Sequence, residues 1–517
     1  MTRLMTLTPL LAAVSLTAAL AADEPAPRGE LEPGPYRVGF RLVEEQDLSR
    51  SIRVTGADPE VRPRPVRVYV WYPAQPTPGA DPMRFGRYAA LADDDVWASD
   101  VLDGARERLA FPRRPLARSL SPERLEALLA QPVLAVEKAE PVVGTFPVIV
   151  VAQGLYYESP IAHAMLCEHL AGRGFVVATA PLVGTHSPLV SLDVIDLETQ
   201  VRDLEFVIAR VRALPFADPD KLGVLGYDMG GMAGVVLAMR NPDVDAFAGI
   251  DTGILFGHPA GIPEASHHHD PSLLRAPWFH ATQREFGTTP EGFEGDGLFD
   301  AAAHSERYLL LTDGMGHADF NSYALVDDRD AMMGYWAPRN GGERERYEAV
   351  VGYLDAFFSA YLAGDTKGRA FLTRDPEEVA PGLGFTLEWR SAAPPSPTYP
   401  DFLNALLAGE RARAKQIARE LCNREPQHPL LQGPVVNRLG YHLLSSWELY
   451  DEAIAVFELN VEWNPETVNV YDSLGEAHML AGNDEQAVLN FEKVLELDPE
   501  NQRAKRILKS LTTEWDP

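Results

Sequence analysis

Three side chains carry the chemistry that this sequence can offer. Asp228 stands in LGVLGYDMGGMAG (222–234), where an apolar run gives way to Gly226-Tyr227-Asp228-Met229-Gly230-Gly231. The spacing is that of the G-x-S-x-G turn, which lifts its middle side chain off the end of a strand, with aspartate in the serine's place. Glycines flank such a turn because backbone angles that sharp leave no room for side chains beside the adjoining strand and helix. Asp251 follows in AGIDTGILFG and His317 in LLLTDGMGHADF, both at the carboxyl ends of apolar runs. Catalytic groups collect at such ends in parallel sheets. Carboxylate, acid and histidine also occur in the chain order of a nucleophile–acid–base triad on this kind of fold. Two backbone donors belong with them. The helix opening after Asp228 presents the Met229 N–H, and Gln153-Gly154 in VVAQGLYYESP (150–160) brings the Leu155 N–H to the same place, where both would stabilise developing negative charge.

A carboxylate attacking an acyl carbon would give a high-energy anhydride, so serine-type ester hydrolysis does not transfer to Asp228. In-line attack on an sp³ carbon is sound chemistry: it displaces a halide or opens an epoxide, and histidine-activated water then hydrolyses the alkyl ester left on the enzyme. Two other readings stay open. Asp228 could act as a base toward water in an esterase, or it could cap its helix in a site that has lost its chemistry, leaving a binding or scaffold module. Tyr156 and Tyr157 could donate to a leaving oxygen or simply pack. SHHHD (266–270) lacks the ligand spacing of a metal site and reads as a solvated loop, so neither metal nor cofactor is expected.

These groups need a scaffold with parallel strands, and the chain has the rhythm for one. YRVGFRLVEE (36–45) and RPVRVYVWYPA (64–74) alternate like paired strands at one sheet edge; 84–140 reads as a helical excursion. From residue 146, apolar runs at 146–152, 175–180, 221–226, 246–251, 276–282 and 307–312 alternate with helical stretches near 159–173, 194–213, 229–241 and 341–362. Buried strands with crossover helices predict a doubly wound, mostly parallel α/β sheet over 34–364. Residues 365–400, ending in SAAPPSPTYP, read as a linker or strapping segment. The remainder, 401–517, is helical and repeats with a period of 34: Leu439-Gly440, Ala453, Phe457 and Pro465 recur as Leu474-Gly475, Ala487, Phe491 and Pro499. A degraded copy keeps Gly409, Ala414 and Pro426, with Ala418 for the phenylalanine. That is the tetratricopeptide (TPR) pattern of helical hairpins, whose groove suits a protein or peptide partner.

From about residue 36 to 362 the sequence resembles α/β-hydrolases of the platelet-activating-factor acetylhydrolase and dienelactone hydrolase-like group. The resemblance rests on VGFRLVEEQDLSR, VYVWYPA, FPVIVVAQGL, LAGRGFVVATAPLVGTHS, DLEFVIARV, GYDMGG, GIDTGI and GMGHADF. It implies a hydrolase acting on a small or lipid-like ester, epoxide or halide, with the acid just past the strand that follows the elbow: Asp251, in preference to Asp313. Two positions depart from that group, Gln153 for the usual histidine of His-Gly and Asp228 for the serine. An aspartate in the elbow resembles epoxide hydrolases and haloalkane dehalogenases, although Met229 replaces the aromatic residue common after it.

Bulk properties bound the partners. The formal charge of −29 disfavours nucleic acid and anionic headgroups. MTRLMTLTPLLAAVSLTAALAADEP has one basic residue, an apolar run and Ala19-Leu20-Ala21, the form of a secretory signal cleaved after Ala21 or Ala22. The expectation is a secreted or periplasmic protein without an integral membrane span. Cys167 and Cys422, the two cysteines, fall in different domains and are expected as free thiols.

Overall fold

The computed structural model describes residues 31–54, 60–76, 78–94, 121–155, 160–186, 190–255, 261–284, 297–325, 341–394 and 396–512. The expected signal segment 1–21, Tyr156 and Tyr157 lie outside them. The chain forms two compact units, Met1–Pro394 and Pro395–Pro517.

Among the described residues, the first unit is built on a ten-stranded sheet. In chain order its strands are β1 (Arg37–Val54), β2 (Glu60–Ala74), β3 (Ala135–Glu137), β4 (Phe146–Ala152), β5 (Val176–Thr179), β6 (Ala217–Tyr227), β7 (Ala246–Ile250), β8 (Trp278–Gln283), β9 (Arg307–Thr312) and β10 (Thr386–Arg390). Across the sheet they run β10-β9-β8-β7-β6-β4-β5-β2-β1-β3. The stretch from β5 to β9 is parallel throughout. Such strands are hidden on both faces, which is why β4 and the Leu222–Tyr227 part of β6 read as unbroken apolar runs. Helices Ala164–Arg173 (α1) and Glu343–Leu362 (α2) cover one face through Leu166, Leu170, Leu354 and Phe357. Val194–Arg212 (α3) and Met229–Arg240 (α4) cover the other through Leu197, Val201, Val235 and Leu237. β1 and β2 pair antiparallel at the far side, as their alternation predicts, and run longer than the sequence pattern suggests.

The excursion at 84–140 contributes helices Phe85–Asp94 and Pro122–Ala130 as well as β3. Buried Glu168 of α1 ties it down, accepting hydrogen bonds from the Tyr88 hydroxyl (2.6 Å), Leu134 N (3.0 Å) and Ala135 N (3.2 Å). One boundary needs correction. Residues 365–394 are not a linker but part of the first unit. Asp365 caps a helix over Thr366–Phe371, Asp375 and Pro376 open another over Pro376–Val379, and β10 pairs antiparallel with β9. The Gly and Pro residues that suggested a linker punctuate short elements, while Leu372 and Phe385 join the core on the α1/α2 face. The division falls inside SAAPPSPTYP.

The second unit is a run of helical hairpins: Tyr399–Leu407 with Arg411–Arg424, Gly433–Tyr441 with Tyr450–Trp463, and Val468–Leu480 with Asp484–Leu497, closed by Gln502–Thr512. The repeat positions do the packing foreseen for them. A Cβ on Gly440 would lie 2.4 Å from the Phe457 ring, and on Gly475 3.1 Å from the Phe491 ring. The turns need left-handed backbone, supplied by Gly409 (φ 76°) and Gly482 (φ 75°). In the middle repeat Glu448 takes that position at φ 57°, after a π-helical turn over His442–Ser446 that the sequence pattern does not reveal. Among the described residues no helix is long and apolar enough to cross a membrane. Cys167 and Cys422 are both buried and unpaired.

Candidate active site

β4, β6, β7 and the loop after β9 bring the three sequence-predicted side chains together. The elbow is tight enough to explain its glycines. A Cβ on Gly230 would sit 2.2 Å from the Ala152 carbonyl oxygen, on Gly226 2.5 Å from that of Gly230, and on Gly231 2.0 Å from the Thr252 methyl. Gly154 passes so close to the turn that its Cβ would meet the Asp228 Cβ at 2.6 Å. Asp228 itself adopts φ 51° and ψ −122°, a backbone region that non-glycine residues rarely occupy. It stands at the N-cap of α4, yet its side chain makes no capping hydrogen bond.

The Asp228 carboxylate is instead divided between two functions. Oδ2 accepts the Leu155 N–H at 2.8 Å, and the Met229 amide also favours the charged form. Oδ1 faces the Nε2 of His317 at 3.9 Å, beyond a direct hydrogen bond and within reach of a bridging water. His317 in turn holds Asp251: its Nδ1 lies 2.6 Å from Asp251 Oδ2. Asp251 sits just past β7 at φ 44°, with its amide donating to Ala281 O at 2.7 Å. Asp313 is half exposed and pairs with Arg284 instead.

Sequence reasoning missed the groups that orient Asp251. The Thr282 hydroxyl donates to its Oδ1 at 2.8 Å, the Gln283 amide N–H to the same oxygen at 3.2 Å, and the Gln283 side chain to Oδ2 at 2.8 Å. The available signal was the polar Thr-Gln pair ending an otherwise apolar strand. Gln153 braces the Leu155 loop from behind: its side-chain amide donates to Thr179 Oγ1 at 2.7 Å, while its carbonyl accepts the Gln200 side chain at 2.7 Å. The SHHHD loop stays apart from this chemistry. Ser266 hydrogen-bonds Glu198, His267 and His268 are exposed, and no group of three potential ligands is present among the described residues.

The electrostatics separate the two carboxylates. Burial raises the Asp228 pKa, and the His317 charge and the Met229 and Leu155 amides offset that only in part. Burial acts on Asp251 in the same sense, but there the hydrogen bond and charge of His317, with Thr282 and Gln283, outweigh it and the pKa falls. Burial disfavours a charged His317; the bond to Asp251 and its charge, then the charge of Asp228, reverse this and raise the imidazole's pKa. One carboxylate is thus a fixed anion that orients the histidine, and the other a desolvated one facing the imidazole.

Residues 132–252 match the Dienelactone hydrolase family. The matched span contains Leu155, Asp228, Met229 and Asp251, and it stops short of His317. The first unit therefore carries a hydrolase domain, and residues 468–501 match the Tetratricopeptide repeat. The chain is also similar to a ferulic acid esterase from Streptomyces cinnamoneus, at 20% identity and a TM-score of 0.49, with 69% of this chain and 97% of that one covered. No curated protein matches the sequence.

Proposed function

We propose that this is an exported hydrolase that uses Asp228 as a covalent nucleophile on an sp³ carbon, with an epoxide or alkyl halide of small or lipid-like character as substrate. The observation that carries the reading is the division of the Asp228 carboxylate: Oδ2 is held by the Leu155 N–H, and Oδ1 is turned toward His317. In an ester hydrolase the amides of Leu155 and Met229 would receive the substrate's oxyanion, but here the enzyme's own carboxylate occupies them.

In the first step Oδ1 forms a bond to the substrate carbon while the carbon–halogen or carbon–oxygen bond breaks; the electron pair goes to the halide, which departs, or to the epoxide oxygen, which stays on the substrate as an alkoxide and takes a proton from water. No base is needed. In the second step His317 Nε2 takes a proton from water as its oxygen adds to Cγ of the new ester. The negative charge then develops on Oδ2, which already accepts the Leu155 N–H. Collapse breaks the Cγ–Oδ1 bond, the product alcohol departs with Oδ1 and the proton returned by the imidazolium, and the proton left on the water-derived oxygen passes to solvent, restoring the Asp228 carboxylate. Ester formation also tunes the base. It removes the Asp228 charge, one of the groups that favour the imidazolium, just when a neutral imidazole is required.

Single turnover in H₂¹⁸O, with enzyme in excess, tests the route. The expected product alcohol carries no ¹⁸O, because its new oxygen comes from Asp228, and the label appears in the Asp228 peptide. Label in the product of the first turnover would instead mean direct attack by water, with Asp228 as a base. The repeat unit is proposed to bind a protein or peptide partner, by the habit of such hairpin arrays.

A further inference from the structure

The residue before the nucleophile is placed against the base from two sides. Tyr227 ends β6 fully buried, and its ring lies parallel to the His317 imidazole, with centroids 4.8 Å apart and 18° between planes. Its hydroxyl donates to the His317 backbone carbonyl at 3.0 Å. His163 meets the same phenol edge-on at 5.1 Å and 64°. The geometry points to Tyr227 as the positioning residue of the catalytic base: its hydroxyl ties the His317 loop to the elbow, and its ring face stabilises the imidazolium formed during turnover.

The physical case rests on the aromatic quadrupole. A cation over the face of a phenol ring is attracted to it, so the stack favours charged over neutral His317. His163 does not oppose this. Burial lowers the His163 pKa to about 3, and neither of its ring nitrogens has a hydrogen-bond partner among the described residues, so it stays neutral. The charged groups acting on the imidazole are Asp251 after β7 and Asp228 in the elbow. In the histidine's own loop Asp319 is turned back to the Gly316 amide, and from α2 Arg346 lies against Gly314. Since Tyr227 adjoins Asp228 in the chain, the same residue fixes the distance between nucleophile and base.

The rate part of this inference rests on the proposed nucleophilic route; the titration part does not. The test follows the His317 ring signal by NMR in the full chain, assigned by its loss in His317→Gln, together with the pH dependence of turnover. Tyr227→Phe keeps the ring and removes the hydroxyl. The expected result is an unshifted His317 midpoint with a rate about tenfold lower, the size of one lost hydrogen bond. Tyr227→Leu removes the ring, and the midpoint should fall by about half a pH unit, the acid limb of the rate profile moving with it. Pentafluorophenylalanine at 227 reverses the charge of the ring face at nearly constant shape, and the same downward shift is expected should the leucine variant fail to fold. A His317 midpoint unmoved by loss or reversal of the ring face, together with a wild-type rate in Tyr227→Phe, overturns the assignment. The titration needs no substrate, so a shifted midpoint in an enzyme that forms no covalent adduct would sink the nucleophile and leave the clamp standing.

Discussion

Asp228 combines two unfavourable features that a structural residue has no reason to keep: a positive φ of 51° and a carboxylate whose pKa burial drives upward. Strain of this kind costs about 1–3 kcal/mol and persists at sites where function requires it. Asp228→Gly should therefore abolish turnover while raising the unfolding free energy by about 1 kcal/mol or more, measurable by urea denaturation. The sign of the pH dependence follows from the direction of the shift. A carboxyl with a raised folded-state pKa penalises folding once ionised, so wild type should lose stability relative to Asp228→Asn as pH rises from 3.8 through the folded-state value. Asp251 has the opposite sign: its lowered pKa stabilises the fold above 3.8, and that is lost as pH falls through its folded-state value. His317, raised above 6.5, stabilises the fold in acid and loses that contribution as pH climbs through its own raised value. Its titration in the free enzyme should lie above the apparent pKa of the hydrolysis step, where Asp228 is esterified; equal values by NMR and rapid quench would contradict the proposed tuning. The three principal residues were legible because motif spacing and chain order are local facts. Thr282, Gln283 and the Tyr227 stack were not, since they depend on side chains meeting across separate strands.

At the scale of elements, the elbow works because strand, turn and helix approach within contact distance, and glycine is what the approach leaves room for. Gly154→Ala would drive its Cβ into Asp228 and the Tyr227 backbone, pushing the Leu155 N–H off Oδ2. Loss of one such donor should lower kcat by about a hundredfold, with the far-UV circular dichroism spectrum unchanged; a variant with near-normal kcat would show that Leu155 is not a charge stabiliser. β10 matters in a different way. It covers the edge of β9, the strand that leads into the His317 loop, and an uncovered edge strand invites pairing with other chains. A hydrolase unit ended at residue 364 should aggregate, whereas one ended at 394 should stay monodisperse by light scattering. The parallel core was readable from its apolar runs and crossover helices. β10 was hidden because Thr-Leu-Glu-Trp-Arg is a short, half-exposed edge strand between Gly/Pro turns, so its pattern is set by a single covered side. The middle hairpin of the repeat unit escaped detail for a related reason: its turn uses Glu448 at positive φ where the neighbouring repeats have glycine.

The whole molecule couples an acidic hydrolase unit to a hairpin array, and its formal charge of −29 acts on whatever approaches. Anionic substrates should be repelled over a Debye length, about 10 Å at 0.1 M salt. Their kcat/KM should rise with ionic strength while that of neutral epoxides or halides stays flat; an equal response in both would remove charge from the account of substrate choice. The array's fold was legible from one fixed period of small, aromatic and proline residues, but no such repetition specifies a partner. The central claim, that Asp228 bonds to carbon and His317 serves only the second step, has a direct test. His317→Gln incubated with a reactive epoxide or alkyl halide should accumulate an adduct, seen in intact-protein mass spectra as the mass of the bound group and mapped to the peptide containing Asp228. If that variant never gains mass, and wild type turns over none of a panel of epoxides, haloalkanes and esters, the aspartate is not a nucleophile and the fold serves binding instead.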